Sequence, residues 1–116
     1  MKFKLIVALT NDEKTDTVIE AARGAGATGA TVITSVRGEG LKPERTFLGL
    51  DLTAKRDVVL IIVAEAKARE ILECIAEAGR FDTEPGAGIA LQLAIEDAIG
   101  FKTQFPVLRH EIEDEL

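Results

Sequence analysis

The chain has 116 residues, of which 47% are hydrophobic and 29% charged, the make-up of one compact domain and not of a disordered segment. Fourteen Lys and Arg against 20 Asp and Glu leave a net charge of −6, with no Tyr or Trp, which argues against nucleic acid as a partner. A single cysteine, Cys74, and a single histidine, His110, exclude an intrachain disulfide framework and a multi-thiolate or multi-histidine metal site within one chain.

Residues 4–9 hold the apolar run Leu5 to Leu9 and predict a buried strand. Thr10, Asn11 and Asp12 supply helix-capping side chains. Val18, Ala21, Ala22 and Ala25 then recur at helical spacing over 13–25, with Asp12, Glu13 and Asp16 at the positive end of the helix dipole. Gly24, Gly26 and Gly29 end that helix, and the Thr-, Val- and Ile-rich stretch 30–36 predicts the second strand. Residues 37–45 form a loop by their Gly, Pro and charge content, and 47–52 alternates enough for a short extra strand. The clearest strand is 57–64, followed by a helix over 65–78 with a stripe of Ala68, Ile71, Leu72, Ile75 and Ala78. Glu65 is placed to pair with Arg69, and Gly79 to close the helix. A loop over 80–88 leads to an alternating strand over 89–95, then one helical turn over 96–100 and a charged tail. No apolar run approaches the ~18 residues of a membrane span and no signal-peptide cleavage pattern opens the chain. The expectation is a cytoplasmic protein without membrane insertion.

This order predicts an α+β fold: a ferredoxin-like βαββαβ sandwich, with a four-stranded antiparallel sheet and two helices on one face. The other sheet face has no helix to cover it, yet residues 58–63 are apolar at every position. Other copies of the chain are expected to bury that face.

Catalytic arrangements are weak. His110 sits in the charged tail, Cys74 lies beside a helical apolar stripe, and Asp12-Glu13 and Glu96-Asp97 read as helix starts. Two glycine-rich segments stand out, Arg37-Gly38-Glu39-Gly40 and Glu84-Pro85-Gly86-Ala87-Gly88. Neither ends in the GK[ST] of a Walker A loop, and neither opens a helix after a strand as the dinucleotide fingerprint requires. Each is an ordinary turn or a backbone nest for phosphate.

Taken together the segments carry a resemblance. Gly26 to Val32 followed by Val36-Arg37-Gly38-Glu39-Gly40, then Gly86-Ala87-Gly88-Ile89-Ala90 and Glu96 to Thr103, occur in order at suitable spacing. The chain thus resembles the P-II (nitrogen regulatory) signal-transduction superfamily, in a divergent P-II-like branch. The resemblance assigns residues 1–105 to the domain and 106–116 to a charged tail. It implies a homotrimer with an adenine nucleotide (AMP, ADP or ATP) in each intersubunit cleft, and a regulator instead of an enzyme. On that footing Thr31, Gly38 and Gly40 lie on the base side with Arg37 beside them. Gly86, Ala87 and Gly88 form the phosphate loop, and Lys102 is a basic C-terminal position. Leu41, Lys42, Pro43, Glu44 and Arg45 form the tip of the T-loop, which would contact a regulated transporter or enzyme. Two positions depart from the pattern: Gly88 and Gly100 stand where typical members carry basic residues. Losing charge-assisted hydrogen bonds of ~1.5–3 kcal/mol each weakens triphosphate binding most. The absence of tyrosine excludes tyrosyl modification of the T-loop. The alternative is a trimer similar to the CutA family, binding metal or a small molecule without sensing nucleotides.

Overall fold

In the computed structural model, which describes residues 2–36, 46–47, 50–51 and 55–101, two long strands take the middle of one sheet. They are β1 (Phe3–Asn11) and β5 (Arg56–Ala64), paired antiparallel through their full lengths, with Ile6 opposite Ile61 and Ala8 opposite Val59. The edges are β2 (Thr31–Val36), paired to β5, and β6 (Gly88–Ala94), paired to β1, giving the antiparallel order β2-β5-β1-β6. The helices α1 (Thr15–Gly24) and α2 (Glu65–Gly79) both lie on one face. The fold is therefore the expected ferredoxin-like sandwich. Ile6, Val59, Ile61 and Val63 meet Val18, Ile71 and Ile75 in a fully enclosed core.

Several local expectations change. The chain leaves β1 through a 3-10 turn, Asp12–Lys14, so α1 starts only at Thr15. Asn11 caps that turn by accepting from the Glu13 amide at 3.3 Å, and the buried Thr15 hydroxyl donates to Asp57 Oδ2 at 2.6 Å. Residues 46–47 and 50–51 are two short strands, β3 (Thr46–Phe47) and β4 (Leu50–Asp51), paired as a hairpin and not one strand. Arg69 bonds Glu73 at 2.9 Å, whereas Glu65 reaches Lys4 at 3.9 Å, so the expected Glu65–Arg69 pair is replaced. Glu65 has its partner on β1 because its own amide is held by the Lys2 carbonyl. Residues 96–100 do not form a helical turn; the backbone is irregular and bends at Ile99 and Gly100.

Gly79 does not close α2 by its backbone. It remains helical and buried, and Arg80 takes the left-handed conformation, with φ of 57°. What position 79 needs is the absence of a side chain, because the Phe81 ring lies where a Cβ would stand.

Side chains alternate across each strand, so Leu5, Val7 and Leu60, Ile62 turn away from the helices. Leu91 and Leu93 join them from β6 through their pairing with Val7 and Leu5. Ile33, Ile62, Leu91 and Leu93 are between 40% and 48% exposed in the isolated subunit. The face without helices is thus a continuous apolar surface.

Candidate functional site

The strand register gathers the loop segments at one end of the sheet. Val36 pairs with Arg56, Arg56 with Asn11, and Thr10 with Gly88. The chain after β2 and the loop before β6 therefore leave from the same end. In β2 the pairing is irregular between Ile33 and Val36, where Ser35 has φ of 57°, so the strand bends just before it leaves the sheet.

The loop over 80–88 is compact. The Glu84 amide donates to the Arg80 carbonyl at 2.9 Å, and the Ala87 amide donates to the Glu84 carbonyl at 3.1 Å. Ala87 is buried, and Gly86 takes φ of 74°, a conformation glycine adopts without strain. Gly88 is fixed by packing: a Cβ there would stand 2.5 Å from the Leu9 carbonyl oxygen and 2.5 Å from the Phe81 ring. A side chain of any kind would not fit this backbone.

Beside this loop lies a cleft of about 530 Å³ between α2 and β6. Gly86, Gly88 and Phe81 line it, together with the charged side chains Arg69, Glu73, Asp82 and Glu84. Arg69, the cation among these, is bonded to Glu73. A phosphate entering here from solvent meets a wall that is acidic overall. Lys14 offsets part of that charge, since its ammonium bonds Glu84 Oε2 at 2.7 Å and the Gly79 carbonyl at 3.0 Å.

The Lys14 hydrogen bond and charge, with a smaller contribution from Arg80, hold the Glu84 carboxyl below its ordinary range. A carboxylate more acidic in the folded than in the unfolded chain contributes its stabilisation fully above the unfolded pKa. That contribution is lost as pH falls through the lowered folded value. Protection factors of the Glu84 and Ala87 amides are therefore expected to stay level from neutrality down to the ordinary glutamate value of 4.5, and to fall below it. A fall already complete at about pH 5 would contradict the contact.

Two features had no signal in the sequence. One is Lys14. The other is Arg56, which is 5% exposed and whose Nε and Nη1 have no hydrogen-bond partner among the described residues. Two unpaired nitrogens on a buried guanidinium are costly and call for an acceptor.

The predicted site residues separate in space. Gly86, Ala87 and Gly88 stand at the β6 edge, and Thr31, exposed, stands on the β2 edge. Three strand spacings, roughly 14 Å, lie between the edges. Arg37, Gly38, Gly40, the tip 41–45, Lys102 and His110 lie outside the described residues. Cys74 is half-buried against the core. Among the described residues no three His, Cys, Asp or Glu side chains gather as a metal site, and no helix is long and apolar enough to cross a membrane.

An open antiparallel sheet backed by two helices, with its loops gathered at one end, defines a ferredoxin-like protein whose open face is apolar. The sequence profile of nitrogen regulatory protein P-II matches residues 3–104, and the chain belongs to that family. Many solved structures match, and two of them serve for comparison. A PII-like signalling protein from Thermus thermophilus is 23% identical, with 82% of this chain and 88% of that one covered and a TM-score of 0.60. CPII from Thiomonas intermedia, solved bound to ADP, AMP and acetate, is 14% identical, with 83% and 90% covered and a TM-score of 0.62. Among curated proteins none matches the sequence.

Proposed function

We propose that the protein is a P-II-like signalling regulator that binds an adenine nucleotide in clefts between the subunits of a homotrimer. It controls a partner transporter or enzyme through the segment 41–45 and catalyses no reaction of its own. The domain spans 1–105, 106–116 is a charged tail, and the protein works in the cytoplasm. The observation that carries this reading is Arg56, a buried cation with unpartnered nitrogens at the end of the sheet where the 86–88 loop begins. An anionic group is the acceptor such a guanidinium fits, bidentately where geometry allows. Thr31 and Gly86–Gly88 lie too far apart to grip one mononucleotide from a single sheet. A cleft formed by the β2 edge of one copy and the β6 loop of another brings them together. The ADP and AMP bound by CPII point to the same ligand class.

The test is calorimetric titration of the wild type and Arg56→Met with AMP, ADP and ATP, with urea unfolding of both. The wild type is expected to bind at least one nucleotide at micromolar strength. Arg56→Met should weaken that binding by about tenfold or more, the worth of one charged hydrogen bond. The same change should raise ligand-free stability by about 1–3 kcal/mol, because it removes an unsatisfied buried charge. A trimer that binds none of the three overturns the nucleotide reading.

A further inference from the structure

We propose that Lys14 is the positioning residue of the 84–88 loop, its ammonium tying Glu84 to the carboxy-terminal end of α2 and so fixing where Gly86 and Gly88 present themselves to a phosphate. The phosphate part rests on the nucleotide reading above; the anchoring does not.

Three observations converge. First, Lys14 closes the 3-10 turn after β1, yet its two acceptors lie 65 and 70 residues away in the chain. One side chain joins the end of β1, the end of α2 and the loop before β6. Second, α2 has no basic residue in its last turn, so Lys14 supplies from elsewhere the cation that a helix C-terminus favours. Third, Glu84 is the hub of the loop. Its amide bonds the Arg80 carbonyl, its carbonyl takes the Ala87 amide, and its carboxylate is held by Lys14. Fixing the Glu84 side chain therefore fixes the turn that sets Gly86 and Gly88.

The contact has an electrostatic consequence as well. The cleft beside the loop carries Glu73, Asp82 and Glu84. With Arg69 already bonded to Glu73, Lys14 is what neutralises Glu84. Without it a phosphate approaching the loop meets one more uncompensated carboxylate.

The experiment compares the full-length wild type with Lys14→Met, which keeps the stem, and Lys14→Arg, which keeps the charge. Amide exchange of the ligand-free proteins is followed by NMR, and adenosine and ADP are titrated calorimetrically. Lys14→Met is expected to speed exchange of the Ala87 amide about tenfold, and to weaken ADP about fivefold while leaving adenosine unchanged, since the loss falls on the phosphate side. Lys14→Arg should recover most of both. A change in overall stability would instead weaken adenosine and ADP alike and would overturn the positioning role. Unchanged Ala87 exchange in Lys14→Met would overturn the anchor. Faster exchange in Lys14→Met, beside a wild type that binds none of adenosine, AMP, ADP and ATP, would sustain the anchor and overturn the nucleotide reading alone.

Discussion

Leu91→Glu is expected to break the proposed oligomer into monomers without unfolding the chain. Leu91 is 42% exposed in the subunit, so a glutamate there stays hydrated in the single chain and costs about 0.5 kcal/mol or less. In an assembly that covers the open face, the same carboxylate loses water and gains no partner. Neighbours across the sheet, Val7 and Leu60, offer no hydrogen bond. Burying an unpaired charge costs several kcal/mol per site, and a closed ring of identical interfaces repeats that cost in each copy. Light scattering should give one subunit mass for the variant, with an unchanged far-ultraviolet dichroism spectrum. Ile62→Glu, 40% exposed on the same face, should behave alike. A variant that keeps the mass of an oligomeric wild type would mean that copies meet through some other surface, and a wild type of one subunit mass would overturn the oligomer itself.

Gly88→Val should destabilise the fold by about 2–4 kcal/mol, seen as a lower urea midpoint at unchanged slope. The added Cβ falls 2.5 Å from the Leu9 carbonyl oxygen, which is backbone of the central strand and cannot move without disturbing the β1–β6 ladder. It also falls 2.5 Å from the Phe81 ring, which is itself seated over Gly79. Trimming the ring in Gly88→Val/Phe81→Leu relieves only the second clash, so the double variant should regain part of the loss at most. An unchanged midpoint in Gly88→Val would show that position 88 is free, and that its glycine reflects ligand preference. For the same reason Gly88 is a poor site for probing the phosphate loop by substitution. Gly86 stands on the loop and off the ladder but takes φ of 74°, so only a residue that tolerates the left-handed region, as in Gly86→Asn, separates binding from folding there.

Periodicity alone determined the element order, the antiparallel ferredoxin-like plan and the apolar open face. Those properties follow from spacing along the chain: the run 58–63 is apolar at every position, and Ile71 and Ile75 sit one helical turn apart whatever surrounds them. The glycine segments, with their order and distance, were enough to mark the P-II family. Local spacing could not decide partners that arrive from elsewhere. Arg69 chose Glu73 over Glu65 because Lys4 and the Lys2 carbonyl engage Glu65 from β1. The 96–100 stretch has helix-forming residues but no core to pack on, so it does not coil. Gly79 and Gly88 look like turn residues in sequence, yet both are set by one ring, Phe81, that packs against them. Lys14 and Arg56 are ordinary charged residues as letters. Only the packing of distant strands and a helix end gives the first two acceptors and leaves Nε and Nη1 of the second buried without one among the described residues.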